Sequence, residues 1–274
     1  MSRDAYQLLE ETSRTFFVPI IRLPEPLRQA VASAYLCMRA IDEIEDHRKL
    51  DRPLRADLLR RISLIFQSSV DGLPRAELDR LLMPQVERLP EVSLRLGEWA
   101  ESAPPEIALR IWDSIAAMAD RMAHWVETDF RIRTEADLDC YTYGVAGAVG
   151  VLLCDLWAWH DGTRTDRTLA LGFGRGLQAV NILRNHHEDL EHQVDFFPEG
   201  WGAAEMQRYA RRNLAVADRY TALLPEGPVR DFCAIPLALA HATLEALSKG
   251  REKLTRAEVE KLVEDAAGRG DPRS

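Results

Sequence analysis

The chain has 274 residues, of which 46% are hydrophobic and 29% charged, and its formal net charge is −9. This composition is that of a folded globular protein, and the negative balance argues against a nucleic-acid partner, which requires a concentrated basic face. No Gly/Ser-rich or Pro-rich linker and no solenoid repeat divides the sequence. We therefore expect one domain over residues 1-274, with residues 250-274 as a frayed tail.

Cysteine usage and hydropathy indicate the compartment. The four cysteines are widely separated and form no CxxC pair, which predicts buried, reduced thiols: Cys37, Cys140, Cys154 and Cys233. Residues 1-11 lack the apolar run of a signal peptide. The longest uncharged apolar run, residues 145-154, is about half of the roughly 20 residues that a spanning helix needs. We expect a cytoplasmic protein without a transmembrane anchor, which an apolar substrate would still bring into peripheral membrane association.

Helical periodicity dominates the sequence, and no segment shows the strict apolar/polar alternation of a strand. The sequence therefore predicts an all-α protein with a helix break near Pro19. The helices are expected at residues 4-11, 24-46, 51-70, 75-89, 104-125, 135-159, 166-190, 203-223 and 226-247, followed by a short helix within 249-273.

An acidic run, Asp42-Glu-Ile-Glu-Asp46, ends the second long helix. Residues four apart share a helical face, so the carboxylates of Asp42 and Asp46 point together while Glu43 and Glu45 turn elsewhere. Magnesium prefers oxygen ligands and binds through one or two carboxylates plus substrate phosphates. The run predicts a magnesium site, and the alternative is a solvated acidic surface at a helix end.

The same helical face carries two further residues. Tyr35 and Arg39 precede Asp42 and Asp46 at spacings of i, i+4, i+7 and i+11. An arginine in line with two aspartates suggests a phosphate-binding fork beside the metal. The alternative is an ion pair of Arg39 with Asp42 or Glu43 within the helix.

A second polar face lies in the helix at 166-190. Gln178, Asn181, Asn185 and Asp189 stand at i, i+3, i+7 and i+11 among apolar residues. A buried unpaired amide costs about 1–3 kcal/mol, so these amides need partners. A second magnesium ion would supply one, and a buried hydrogen-bond network between helices is the alternative. The neighbouring histidines match no second cluster, so surface or hydrogen-bond roles are expected for His186, His187 and His192.

Three glycines at three-residue spacing follow Tyr141: Gly144, Gly147 and Gly150. Each costs roughly 1 kcal/mol relative to alanine in a helix, so the glycine strip needs a structural reason. One reason is close helix packing. The other is a groove for a long apolar tail, with Tyr141 at its polar mouth.

Together these residues resemble the squalene and phytoene synthases, a family of head-to-head isoprenyl diphosphate synthases. The resemblance covers nearly the whole chain, because several family motifs occur in order: Ser13-Arg-Thr-Phe16, Tyr35-Leu-Cys-Met-Arg-Ala-Ile-Asp42, Tyr141-Thr-Tyr-Gly-Val-Ala-Gly147 and Asn181-Ile-Leu-Arg184. The Ile-Glu-Asp46 ending and the Phe196-Phe-Pro198 segment look closer to squalene synthase than to phytoene synthase.

The resemblance implies an all-α isoprenoid synthase fold, a single helical bundle in which two aspartate-rich helices face each other across a central cavity. One magnesium cluster would be held by Asp42 and Asp46, and the other by Asn181, Asn185 and Asp189. The catalytic set implied is Asp42, Asp46, Tyr141, Asn185 and Asp189, with Tyr141 stabilising cationic intermediates or assisting proton movement. The substrate-binding set, in which Arg14, Arg39 and Arg184 hold the diphosphate, is Ser13, Arg14, Phe16, Tyr35, Arg39, Val145, Gln178 and Arg184.

The activity implied is prenyl transfer: a magnesium-dependent, head-to-head condensation of two farnesyl diphosphates to presqualene diphosphate or a squalene-type C30 product. Squalene synthases also reduce the intermediate with NADPH through basic residues near the C-terminal helices. Lys253 and Arg256 would serve here, although Thr255 stands where another basic residue is expected.

Two positions depart from the family pattern. Asn185 replaces a usual aspartate, and Val194 stands where an arginine is expected. Both changes put the two-substrate reaction in question and leave two alternatives. One is a single-substrate reaction, either terpene cyclisation or prenyl transfer to a non-prenyl acceptor. The other is a non-catalytic binding or assembly protein that keeps the fold.

Overall fold

A computed structural model describes residues 1–13, 15–69, 72–251 and 253–268 of the chain. These residues form helices and, within the described ranges, no strand, as the periodicity predicts. Two compact units account for the chain: Met1–Ile20 with Pro24–Asp129, and Ile21–Leu23 with Phe130–Ser274. The single domain over 1-274, with its central cavity, stays a prediction.

The first unit contains the helices of the N-terminal half. These are α1 (Arg3–Thr12), α2 (Phe17–Ile21, whose last residue groups with the second unit), α3 (Leu27–Glu45), α4 (Arg52–Gln67), α5 (Arg75–Leu82), a 3-10 turn (Met83–Gln85), α6 (Glu91–Leu94), α7 (Leu96–Glu101) and α8 (Pro105–Glu127). Helix α3 packs against α4, α6, α7 and α8, and α4 packs along α8.

Two buried serines fix α3 in its surroundings. The Ser33 hydroxyl donates to the carbonyl of Trp99 at 2.7 Å, and the Ser93 hydroxyl donates to the carbonyl of Ala40 at 2.8 Å. Each bond satisfies a hydroxyl that burial would otherwise leave unpaired. The acidic end of α3 is therefore carried by a helix that is held along its length.

The second unit contains α9 (Glu135–Thr142), a π-helical segment (Tyr143–Gly147), α10 (Ala148–Asp161), α11 (Arg167–Glu191), α12 (Ala203–Leu223), α13 (Pro228–Ser248) and α14 (Arg256–Gly268). Helix α11 packs against α9, the π-helical segment, α10, α12 and α13. Thr134 and Asp137 form a capping box that starts α9, and the Asp166 carboxylate caps α11.

Glycines allow α11 to approach its neighbours closely. A Cβ on Gly150 would lie 2.1 Å from the carbonyl oxygen of Ala170, and one on Gly174 would lie 2.2 Å from that of Ala146. A Cβ on Gly147 would lie 3.3 Å from the side chain of Leu171. The structure thus supports close packing as the reason for Gly147 and Gly150, rather than a groove for an apolar tail.

Some predicted boundaries are wrong. The expected break near Pro19 lies inside the short helix α2, and the helix expected at 24-46 spans 27–45. The helix expected at 135-159 is interrupted by the π-helical segment and ends at Asp161, because the i+5 pattern cannot be read from apolar spacing. Parts of the predictions for 51-70 and 249-273 lie outside the described residues.

The thiols and the most apolar helix differ from expectation in one respect each. All four cysteines are free, but Cys140 is exposed rather than buried, because it lies on the outer face of α9. The stretch Glu135–Asp161 is long and apolar enough to cross a membrane, yet 56% of its most apolar window is buried inside the protein. Burial of this kind is common in core helices, and the absence of a membrane anchor stays a prediction.

Candidate functional site

Three predicted substrate-binding residues meet in the first unit. Ser13 is buried, and its hydroxyl accepts a hydrogen bond from the backbone N–H of Phe16 at 3.1 Å. The Phe16 ring lies 5.9 Å from the ring of Tyr35. Burial raises the pKa of Tyr35, and a hydrogen bond with Ser13 opposes that shift. Arg14, the remaining member of this motif, lies outside the described residues.

The Arg39 guanidinium is a fork between two carboxylates of its own helix. Nη1 donates to Asp42 and Nη2 donates to Glu43. The intrahelical ion pair, one of the two interpretations of Arg39, is therefore what the structure contains. The expectation that Glu43 turns away from Asp42 is wrong, since one guanidinium bridges both. Burial raises the pKa of Asp42, Arg39 opposes this shift, and Glu43 adds to it.

Glu45 is a buried acid that the sequence interpretation missed. Its side chain is 2% exposed, and its Oε1 atom has no hydrogen-bond partner among the described residues. Burial, and then the charges of Asp46 and Asp42, raise its pKa well above the usual range. A signal was present, because Glu45 follows Ile41 by four residues and so continues the apolar stripe of α3.

Asp46 closes the acidic run. It follows the last residue of α3, and its backbone N–H donates to the carbonyl of Asp42 at 2.9 Å. Its side chain is exposed, whereas that of Asp42 is about two-thirds shielded. The two residues therefore stand one helical turn apart at the end of α3, and the shared direction of their carboxylates stays a prediction.

The polar face of α11 converges on Arg184. The guanidinium donates from Nη2 to Asn181 Oδ1 at 2.7 Å and from Nε to Asn185 Oδ1 at 3.1 Å. The Asn185 amide also donates to Asn181 Oδ1 at 3.4 Å. These amide bonds stay within α11. A single cation already bridges both amide oxygens.

The other predicted residues of this unit lie on the same elements. Gln178 is half-buried one turn before Asn181, and Val145 is half-buried in the π-helical segment. Asp189 is half-buried near the end of α11, where its carbonyl accepts the backbone N–H of Val194 at 3.0 Å.

Tyr141 belongs to an aromatic cluster with Phe130 and Phe196. The Tyr141 and Phe196 rings are stacked with centroids 4.7 Å apart. Phe130 meets both rings edge-on, at 6.4 Å from Tyr141 and 5.7 Å from Phe196. Tyr141 and Phe130 are only 5% and 7% exposed. The sequence interpretation missed Phe130, since it follows α8 in a left-handed conformation, φ 50°, that no apolar spacing reveals.

The donor atoms at both polar faces fit magnesium. Carboxylate and amide oxygens are the ligands that Mg²⁺ accepts, and Arg184 shows that the oxygens of Asn181 and Asn185 can serve one cation together. Among the described residues no three His, Cys, Asp or Glu side chains form a preassembled metal site. A metal that takes one or two carboxylates and completes its shell with water and phosphate needs no such cluster.

Comparison with known proteins identifies the family. A family model described as squalene/phytoene synthase matches residues 9–204, which run from α1 into the start of α12. The chain belongs to this family. Both polar faces and the aromatic cluster fall within the matched residues.

Squalene synthases are among the relatives of this family member. The Schizosaccharomyces pombe squalene synthase is 29% identical over 89% of the chain and 59% of its own length, and the human squalene synthase is 28% identical over 96% and 69%. The chain thus spans about 59% of the S. pombe protein. The structure is similar to TcSQS solved with the ligand E5700, with a TM-score of 0.78, 25% identity, and coverage of 97% and 85% of the two chains.

The fold prediction is confirmed by these comparisons. The squalene synthase HpnC from Alicyclobacillus acidocaldarius, at 16% identity and a TM-score of 0.59, shares the fold alone. The chain has the all-α isoprenoid synthase fold of its family. The roles of individual side chains, and the facing of the two polar helices across a cavity, stay predictions.

Proposed function

We propose that the chain is a prenyltransferase that condenses two farnesyl diphosphates head to head, giving presqualene diphosphate or a squalene-type C30 product. The observation that carries the proposal is the family match over residues 9–204, which includes the acidic end of α3 and the polar face of α11. Squalene synthases recur among the relatives. The oxygens on these two faces suit magnesium, and the arginines beside them suit the negative charge of a diphosphate.

The residues of the two faces have two roles in ionisation: carboxylates and amides would hold magnesium, and arginines would bind the diphosphate. Asp42 and Asp46 on one face, and Asn181, Asn185 and Asp189 on the other, would hold magnesium. Bound magnesium supplies positive charge that stabilises the departing diphosphate. Arg39 and Arg184 offer guanidinium forks that match phosphate oxygens bidentately.

Those arginines are engaged before substrate arrives. Arg39 bridges Asp42 and Glu43, and Arg184 bridges the amides of Asn181 and Asn185. Both guanidinium groups thus occupy positions next to the proposed metal ligands. On substrate binding they exchange carboxylate or amide oxygens for diphosphate oxygens, and the ligand oxygens become available.

The aromatic cluster is proposed to stabilise the carbocation that ionisation leaves behind. Loss of diphosphate leaves an allyl cation, which needs a dry site with polarisable walls. Tyr141 is buried and stacked on Phe196, so its ring presents a fixed aromatic surface. We assign Tyr141 and Phe196 to stabilisation of the cation, and we assign to Tyr141 the further role of assisting proton movement.

Reduction with NADPH belongs to the same proposal as a separable second step. The two basic residues suggested for it lie before and at the start of α14. Arg256 donates to Glu260 at 2.8 Å, so NADPH binding would have to compete with that ion pair. The two half-reactions are therefore tested separately.

Product analysis tests the proposal. The protein is incubated with farnesyl diphosphate and Mg²⁺, with and without NADPH, and extracts are analysed for C30 and C15 compounds. Presqualene diphosphate without NADPH, or a C30 hydrocarbon or alcohol, supports it. The absence of any prenyl product under conditions where ligand binds would leave the non-catalytic alternative.

One observation favours a second candidate, a reaction of a single prenyl diphosphate. Asn185 supplies a neutral amide where a carboxylate is usual, and its Nδ2 donates to Oδ1 of Asn181, a second amide. Because one carboxylate is replaced by an amide, this ligand set carries one negative charge less. It therefore holds magnesium, and with it a second diphosphate, less tightly. A C15 alcohol or hydrocarbon, or a mixed product with a non-prenyl acceptor, would identify this activity in the same assay.

A further inference from the structure

His186 makes an aromatic stack that neither the metal ligands nor the aromatic cluster accounts for. Its ring lies 3.7 Å from the ring of Phe197 with an interplanar angle of 7°. The next residue, His187, points the other way, with a side chain that is 92% exposed. Stacking that close and that parallel fixes two ring planes relative to each other.

A hydrogen-bonded carboxylate reinforces the stack. His186 Nε2 lies 3.3 Å from Asp195 Oδ1, and the same oxygen accepts the backbone N–H of Phe197 at 2.9 Å. Asp195 thus closes a small turn around the segment that His186 covers. His186 therefore contacts the segment Asp195–Phe197 at both ends. Its Nε2 atom meets the Asp195 carboxylate, and its ring stacks on Phe197.

The residue between these two anchors is Phe196. Its ring stacks on Tyr141 and receives the edge of Phe130. Because Asp195 and Phe197 are both tied to His186, the backbone position of Phe196 depends on that histidine. His186 also follows Asn185 directly, so the polar face of α11 and the aromatic cluster are linked through two adjacent residues.

We propose that His186 is a positioning residue: its ring and its contact with Asp195 hold the segment Asp195–Phe197 so that Phe196 stacks on Tyr141. The effect on turnover rests on the proposed function, in which Phe196 and Tyr141 stabilise the cation. The effect on the segment itself does not. In this role His186 acts through its contacts with Phe197 and Asp195.

The test compares three variants of the full chain. His186→Ala removes the ring and the contact with Asp195, His186→Phe keeps a ring that can stack on Phe197, and His187→Ala removes the exposed neighbour as a matched control. Amide hydrogen exchange at Phe197 and thermal melting are measured without ligand. Steady-state kinetics with farnesyl diphosphate and Mg²⁺ give kcat and KM separately.

We expect His186→Ala to melt cooperatively, to exchange the Phe197 amide at least about tenfold faster, and to lose about tenfold to a hundredfold in kcat with KM within about twofold. His186→Phe should recover most of kcat, and His187→Ala should match the unmodified chain. Unchanged exchange and kcat in His186→Ala would overturn the proposal. Equal losses in His186→Ala and His186→Phe would overturn the part assigned to the ring, because the contact with Asp195 alone would then hold the segment.

Failure of the proposed function has a different signature. An unmodified chain that forms no prenyl product refutes the prenyltransferase activity, and exchange at Phe197 still decides whether His186 holds the segment. Faster exchange in His186→Ala with unchanged kcat in an active enzyme contradicts the positioning role.

Discussion

Arg184 donates a hydrogen bond from Nε to the amide oxygen of Asn185 at 3.1 Å, so a guanidinium lies at an oxygen that we assign to magnesium. In the absence of metal this contact keeps the amide oriented. We propose that Arg184 gives up this contact when Asn185 holds magnesium and then faces the diphosphate. Asn185 is consequently the residue at which the proposed functions separate most clearly.

The substitution Asn185→Asp tests those functions. If Asn185 is a weakened ligand in a two-substrate site, the added carboxylate should raise C30 formation or lower the Mg²⁺ concentration needed for half-maximal rate. If the chain is specialised for one substrate, its C15 activity should fall with no gain in C30 product. Product analysis over a Mg²⁺ titration distinguishes the two.

The same variant has a stability readout. Asn185 is half-buried beside Arg184, so a new carboxylate gains a cationic partner and the melting temperature should change little. A loss of several kcal/mol that Mg²⁺ does not restore would show that the position cannot carry charge, and would remove Asn185 from the proposed ligands.

Asp42→Asn and Asp46→Asn should each lower turnover by orders of magnitude with little change in stability. The ion pair of Asp42 with Arg39 is partly exposed, and such pairs are worth about 0–1 kcal/mol. Asp113→Asn breaks an exposed Arg–Asp pair of the same i,i+3 spacing and serves as the control. Near-normal turnover of either acidic variant at saturating Mg²⁺ would refute this metal site.

A non-hydrolysable farnesyl diphosphate analogue should raise the melting temperature only when Mg²⁺ is present. Selective binding to the native state stabilises by about 2.7 kcal/mol at a hundredfold excess over Kd. Differential scanning fluorimetry with and without EDTA measures the difference. An equal rise in EDTA would mean that the diphosphate binds through arginines alone.

Gly150→Ala should destabilise the second unit. Its Cβ would lie 2.1 Å from the carbonyl oxygen of Ala170, a backbone atom that no rotamer change can move. Overpacking of this kind costs about 1–3 kcal/mol, which exceeds the roughly 1 kcal/mol that alanine gains over glycine in a helix. For Gly147→Ala the nearest atom is in the Leu171 side chain, at 3.3 Å, and chemical denaturation should show a smaller loss.

Glu258 gives a pH dependence to the start of α14. Its carboxylate accepts from Arg251 at 2.7 Å and from the backbone N–H of Thr255 at 2.7 Å, and these bonds lower its pKa to about 2. A lowered pKa stabilises the folded state above the unfolded value of 4.5 and loses that contribution as pH falls toward 2. Hydrogen-exchange protection factors in α14, which are corrected for the intrinsic pH dependence of amide exchange, should therefore fall over that interval.

The variant Glu258→Gln isolates this effect. At neutral pH its α14 should already show the low protection factors of the acid-treated protein, and those factors should no longer depend on this titration. Equal protection of α14 in the variant and the unmodified chain at pH 7 would contradict the assignment.

The sequence predicts the helices and the polar faces well because both follow from helical spacing. Tyr35, Arg39 and Asp42 are indeed neighbours on α3, and Asn181 and Asn185 are neighbours on α11. The partners of these groups were harder to predict. Whether Arg39 pairs with Asp42 or keeps its guanidinium for phosphate depends on side-chain rotamers, which spacing does not determine.

The rest of the candidate site lies where periodicity carries no information. Phe130 reaches Tyr141 from a left-handed turn, and His186 reaches Phe197 across a bend after α11. Contacts of this kind depend on where the chain reverses direction. Glu45 is different, since its position on the apolar stripe of α3 predicts burial. Its charge led us to expect exposure instead.

The π-helical segment Tyr143–Gly147 affects how this chain can be compared with its relatives. One extra residue in a turn rotates the helix that follows by about 100° relative to the helix before it. Tyr141 precedes the segment and faces Phe196, whereas Gly150 follows it and faces Ala170. An ungapped alignment to a relative with a continuous α-helix at this point would therefore match only one of these two residues to its structural counterpart.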